Sequence, residues 1–199
     1  MNNDKYTSMQ LDFIKELANV GGGNAATSIS QLIKKPVNMT LPIIDLIDYE
    51  ELYETTMAED TVVNAVIMKM FGDAEGTFLF VTSDGSLNDL INMMMPAGIV
   101  LTDELSQSGI KELVNILVTS FVNAISKLVN INIISSVPVL TMEMFGAILS
   151  GVYMESEQYD ENIMIIKNEF LYNGDIIQGT LYFVPKPGVL TRLFEIIGI

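Results

Sequence analysis

Apolar positions recur with helical spacing in two long stretches, 96 residues apart, and each stretch is followed by segments of strand character. In SMQLDFIKELANVGGGNAATSISQLIKK, a helix advancing about 100° per residue gathers Ile14, Leu17, Ala18, Gly21, Ala25, Ile29 and Leu32 on one side. In ELSQSGIKELVNILVTSFVNAISKLVN the same spacing gathers Ile110, Leu113, Val114, Leu117, Phe121, Ile125 and Leu128. Each stretch predicts an amphipathic helix with one buried face. Thr7, with Gln10 three residues on, reads as a capping box that starts the first helix near Ser8, and Pro36 stops it after Lys34 or Lys35.

Residues 37–47 read as an extended piece broken by Pro42. VVNAVIMKM and GTFLFVT then flank Gly72-Asp73 as a hairpin. Ser86 to Met95 predicts a short helix ended by Pro96, its three methionines filling core. The second half repeats this plan: after Pro138 come MEMFGAILSGVY, NIMIIKNEFLY, IIQGTLYFVPK and a closing helix from Val189 to Ile197. GTFLFVTSDGSL at 76–87 and GTLYFVPKPGVL at 179–190 share Gly, Thr, Phe, Val, Gly and Leu at an offset of 103. The growth from 96 to 103 gives the second half seven extra residues, which we assign to the acidic loop around Glu155 to Glu161.

These patterns predict an α+β fold. Two helix, strands, helix repeats, about residues 8–96 and 104–199, are related by a pseudo-twofold and share one largely antiparallel sheet, with the long helices packed on it. Residues 1–199 form one domain in this reading.

The polar positions carry the same repeat. Asp12, Glu16 and Asn19 fall within roughly 60° of one another on the first helix, and Ser108, Glu112 and Asn115 do so on the second. Pro42 and Pro138 follow at equal distance, so Glu, Asn and Pro each recur at an offset of 96. A lone Glu and Asn on an amphipathic helix are ordinarily a solvated face. Recurrence at one fixed offset makes them candidates for a function held twice. Gly21, Gly22 and Gly23 each cost the helix roughly 1 kcal/mol relative to Ala, which a close approach by another helix or by a partner's backbone would offset. A phosphate-cradling loop does not fit them, because GGGN follows no strand and precedes no Lys-Ser/Thr pair.

Composition narrows the chemistry. The chain has no Cys and no His, which excludes disulfides, thiolate nucleophiles, Cys/His metal sites and histidine acid-base catalysis. A formal net charge of −15 argues against nucleic acid and anionic membranes and favours a partner with a basic patch. The most acidic stretch, Asp45, Asp48, Glu50, Glu51, Glu54, Glu59 and Asp60, reads as a solvated loop or short helix. Hydrophobic content of 49% against 18% charged marks a globular protein, with no apolar run of membrane-spanning length. The start, MNNDKYTSMQ, lacks the features of a secretory signal, so the expectation is a cytoplasmic protein.

The spacing Asp/Ser, three residues, Glu, two residues, Asn, 22 residues, Pro, present at Asp12/Glu16/Asn19/Pro42 and at Ser108/Glu112/Asn115/Pro138, resembles the CheC family of chemotaxis phosphatases, which also holds CheX and FliY. ELANVGGGNAATSISQL is similar to the family's first-helix signature, and the resemblance spans essentially the whole chain. A doubled motif, with no flagellar switch domain after Ile199, is more similar to CheC than to CheX or FliY. The resemblance implies hydrolysis of the aspartyl phosphate of a CheY-type response regulator. Asn19 and Asn115 would orient water, while Glu16 and Glu112 would dock on the regulator's active-site lysine. Asp12 and Ser108 would either orient the glutamate or be solvated, and Pro42 and Pro138 would be structural. The chain would need no cofactor of its own, with Mg²⁺ carried by the regulator. It would act as a monomer, with the CheD deamidase as a further partner. A non-catalytic adaptor binding CheD or the regulator, or a flagellar switch component, is the alternative.

Overall fold

The computed structural model describes residues 6–40, 43–48, 57–95, 102–157, 162–172 and 175–199. Helix α1 (Ser8–Ile33) leads through β1 (Asn38–Met39) and β2 (Ile43–Asp48) to the hairpin of β3 (Val62–Gly72) and β4 (Gly76–Thr82), and then to α2 (Asp84–Met94). The second half runs α3 (Asp103–Val129), β5 (Ile133–Ser135), β6 (Val139–Met144), α4 (Phe145–Glu155), β7 (Asn162–Tyr172), β8 (Asp175–Pro185) and α5 (Val189–Ile197). The described strands join one sheet in the order β1-β7-β8-β4-β3-β5, with β2 also on β7 and β6 also on β3. Every described pairing is antiparallel.

The halves are interlaced. First-half strands β1 and β2 pair with second-half β7, while second-half β5 and β6 pair with first-half β3. At the centre, β4 meets β8 with Thr77 opposite Val184 and Val81 opposite Thr180. Adding the 103-residue offset to Thr77 and Val81 gives Thr180 and Val184, so the offset exchanges these two pairs. The pseudo-twofold axis therefore passes through Leu79 and Tyr182, which face each other across the same ladder.

Alternation along the strands builds a core on both faces of the sheet. Val66, Met68, Met70, Phe78, Phe80, Leu181 and Phe183 face α1 and α3 in the larger cluster. Val63, Ala65, Leu79, Val81, Tyr182 and Val184 pack with Phe145, Ile148, Leu149 and Val152 of α4 on the other side. Each fully buried Phe or Leu contributes roughly 1.5–3 kcal/mol relative to exposure, so the two long helices are fixed to the sheet along their apolar faces.

Several expectations need adjustment. Leu32 and Leu128 are each 47% exposed rather than buried. The buried stripe steps by four from Ala25 to Ile29 and from Phe121 to Ile125, and continues to Ile33 and to the buried Val129. Residues three further on, at 32 and 128, therefore rotate off the contact. MEMFGAILSGVY is two elements, since β6 ends at Met144 and α4 begins at Phe145. Helix α2 begins two residues before Ser86, where the Ser83 hydroxyl caps it by accepting the Ser86 N–H at 3.2 Å. Among its methionines Met93 is fully buried and Met94 packs on the same cluster, as core filling requires. Asp45 and Asp48 lie in β2 rather than in a loop or helix, and residues 49–56 lie outside the described set.

Part of the added length in the second half is in the sheet itself. Strand β8 begins four residues before Gly179, whereas β4 begins at the corresponding Gly76. One described helix, α3, is also long and apolar enough by length and composition alone to cross a membrane, but over half of its most apolar window is buried inside the fold.

Candidate functional site

Both motif helices are fixed at their ends. The Thr7 hydroxyl accepts the Gln10 N–H at 3.3 Å, and the Gln10 side-chain oxygen accepts the Thr7 N–H at 2.9 Å, completing the capping box. On α3 the Thr102 hydroxyl accepts the Leu105 N–H at 3.2 Å. At the other ends Lys34 (φ 56°) and Asn130 (φ 55°), again 96 apart, close their helices in the left-handed conformation. Ser30 then ties α1 to the following chain, donating to the Val37 carbonyl at 3.0 Å and accepting the Val37 N–H at 2.9 Å.

With the apolar faces held down, the motif residues face outward. Ile14, Leu17 and Ala18 are buried while Asp12, Glu16 and Asn19 between them are exposed. On α3, Ile110, Leu113 and Val114 are buried, Ser108 is exposed, and Glu112 and Asn115 lie beside them on the outward stripe, Asn115 half-buried. Glu and Asn three residues apart are separated by about 4.5 Å of helix rise. Among the described residues, none forms a hydrogen bond or ion pair with the side chains of Glu16, Asn19, Glu112 or Asn115. Each pair therefore offers one carboxylate and one carboxamide, free of internal competition, on an outward helix face. Asp12 forms a 3.7 Å ion pair with Lys15 one turn on. Pro138 stands half-buried between β5 and β6, on neither motif helix, and Pro42 lies outside the described residues.

The glycine run has a partial explanation in packing. A Cβ on Gly21 would sit 2.6 Å from Phe121 Cδ1, so only glycine lets the buried Phe121 ring of α3 lie against the α1 backbone. The 96-residue offset relates Gly21 to Leu117 and Phe121 to Ala25, and Ala25 and Leu117 are buried in the same cluster. Small side chains on α1 thus match large ones on α3. Gly23 is exposed, and a Cβ there would have nothing within 4 Å.

Lys15 and Lys111 escaped the sequence reading. They also stand 96 apart, immediately before Glu16 and Glu112, so that Ile-Lys-Glu-Leu recurs intact with Asn two residues later. The signal was that same offset, extended one position beyond the Glu. Further along α1 the outward face opens into a groove of about 720 Å³ lined by Gly23, Thr27, Gln31, Lys34 and Lys35.

Residues 9–44, which contain the first copy of the motif, match the CheC-like family. The CheY-P phosphatase CheC of Bacillus subtilis (strain 168) is 26% identical over 196 residues, covering 95% of this chain and 94% of that protein. The chain is thus similar in sequence to CheC, over residues 9–44 at the level of the family and at 26% identity along nearly its whole length. FliY of Thermotoga maritima superposes with a TM-score of 0.72 at 20% identity, covering 96% of both chains. A FliG–FliM complex from H. pylori matches with a TM-score of 0.67 at 10% identity, over 94% of this chain and 100% of the matched one. The second motif copy, on α3, falls outside the segment matched by the family but on the helix that the internal twofold relates to α1.

Proposed function

We propose that this chain is a chemotaxis phosphatase that hydrolyses the aspartyl phosphate of a CheY-type response regulator. The observation that carries the reading is the doubled Glu and Asn pair, outward-facing and without partners among the described residues, on two related helices of a chain that aligns over 95% of its length with a CheY-P phosphatase. An acyl phosphate is already activated, so its hydrolysis needs a water in line with the scissile bond more than it needs a strong base. The Asn19 or Asn115 carboxamide supplies an acceptor oxygen and donor N–H groups to hold that water. The water oxygen bonds to phosphorus as the bond from phosphorus to the acyl oxygen breaks. The aspartate carboxylate leaves, and the water's proton goes to the released phosphate. Positioning of this kind is worth up to roughly 7–11 kcal/mol where geometry is ideal.

Glu16 and Glu112, one turn away, dock on the regulator's active-site lysine and so set where Asn lands. Mg²⁺ belongs to the regulator and neutralises phosphoryl charge there. Phosphate release from a phosphorylated CheY-type regulator, compared for the unmodified chain, Asn19→Ala, Asn115→Ala and the double change, tests the reading. Loss of acceleration in the double change with binding retained is the expected result, and binding without acceleration by the unmodified chain overturns it. In that event the adaptor reading, with the regulator or the CheD deamidase as partner, takes its place. The likeness in fold to a chain of a FliG–FliM complex is what keeps that second reading in view.

A further inference from the structure

Lys15 and Lys111 share the turn that carries each Glu and Asn. Lys15 lies one turn from Asp12 and from Asn19, and Lys111 lies one turn from Ser108 and from Asn115. In a chain with 25 acidic and 10 basic residues, each motif stripe keeps a cation beside its glutamate. The two cations differ in what surrounds them. The Lys15 ammonium is 3.7 Å from the Asp12 carboxylate. On α3 the position of Asp12 is taken by uncharged Ser108, and among the described residues none forms an ion pair with Lys111. Lys111 is also the less exposed of the two.

An aspartyl phosphate bound with a divalent ion sits among further carboxylates, because a hard cation takes oxygen ligands. The surface that meets the motif helix is therefore rich in anionic groups, while this chain's own net charge of −15 opposes the approach. We propose that Lys111 is a docking cation for the acidic rim of the phosphorylated regulator, and that Asp12 weakens the α1 site by neutralising Lys15, making the α3 site the tighter of the two. This inference rests on the phosphatase reading and ranks its two sites.

The test isolates each site, using Asn19→Ala to leave α3 active and Asn115→Ala to leave α1 active. Phosphate release is measured from a CheY-type receiver domain phosphorylated on its aspartate, with Mg²⁺, at low and moderate salt. Equilibrium binding is measured in parallel to the same domain carrying beryllofluoride, with Glu16→Gln added to the first background and Glu112→Gln to the second so that a single docking site remains in each. In the first background Lys111→Gln and Ser108→Asp should each raise KM and Kd about 2- to 5-fold, the scale of an exposed charge pair, with kcat unchanged. Salt should erase the difference and Lys111→Arg should restore wild-type values. In the second background Asp12→Ser should lower KM by a similar factor, while Lys15→Gln changes little. A Lys111→Gln variant with unchanged KM and Kd, or with kcat reduced at constant KM, overturns the proposal. If the unmodified chain releases no phosphate, the phosphatase reading fails, and the binding arm still decides the role of Lys111. Absence of binding overturns both.

Discussion

Leu79 and Tyr182 face each other across the β4–β8 ladder, and each is the other's counterpart under the internal twofold. Both are fully buried, yet only one carries a hydroxyl. The Tyr182 oxygen has no partner within hydrogen-bond geometry. Burial pushes the phenol well above its ordinary value, and the Thr180 side chain, close by but outside hydrogen-bond geometry, acts in the opposite direction. A buried unsatisfied hydroxyl costs roughly 1–3 kcal/mol, so Tyr182→Phe should stabilise the chain by about 1 kcal/mol in urea unfolding at neutral pH. A loss of stability instead would show that the hydroxyl is satisfied by an ordered water.

The same group sets an alkaline limit. The folded-state value is raised above the unfolded value of about 10. The neutral phenol is therefore favoured by folding, its contribution is complete below pH ~10, and it is lost as pH climbs beyond that. Unfolding midpoints taken from pH 8 to 11 should fall more steeply for the unmodified chain than for Tyr182→Phe, and the two curves should run parallel below pH ~9. Parallel curves throughout would mean that Tyr182 ionises no differently once the chain unfolds.

Gly21 and Gly23 should respond in opposite directions to alanine. A Cβ at Gly21 meets three atoms of the buried Phe121 ring at 2.6–3.0 Å, and displacing that ring costs on the order of 1–3 kcal/mol, more than the roughly 1 kcal/mol that alanine contributes to the helix. A Cβ at Gly23 meets nothing, so Gly23→Ala should gain about 0.5–1 kcal/mol. Thermal melts of the two variants give the sign directly. If Gly23→Ala stabilises the chain while weakening regulator binding at the α1 site, a partner backbone approaches there.

Much of the fold was legible because its signals were local or repeated. The capping box at Thr7 and Gln10 gave the start of α1, and the two offsets placed both motif helices and both central strands. The use of glycine at Gly21 was open between a neighbouring helix and a partner, and only the position of Phe121 on a helix a hundred residues away decides it. The exchange of edge strands between the halves was not legible, since nothing local in VLTMEM says that its neighbour is β3 of the other repeat. At the site, the outward stripe of Glu16, Asn19 and Glu112 follows from helical period, whereas the partial burial of Asn115 depends on neighbouring elements. Lys15 and Lys111 were within reach of the repeat, yet on a helix surface they look like ordinary solvated lysines.

The two motif positions should separate into docking and chemistry. Glu16→Gln and Glu112→Gln keep side-chain shape but remove the charge that would meet a lysine of the regulator. Once docked, that pair is desolvated, and leaving its lysine unmatched costs on the order of 2 kcal/mol, or about a 30-fold loss of affinity. Binding to a beryllofluoride-loaded receiver domain should therefore weaken in Glu16→Gln/Glu112→Gln. It should persist in Asn19→Ala/Asn115→Ala, whose carboxamides, on the proposed mechanism, hold water and not the partner. Phosphate release at saturating regulator should follow the reverse order, reduced but measurable for the Gln pair, in which docking no longer fixes where Asn lands, and abolished for the Ala pair. A Gln pair that binds normally but releases no phosphate would move Glu16 and Glu112 from docking into the chemical step.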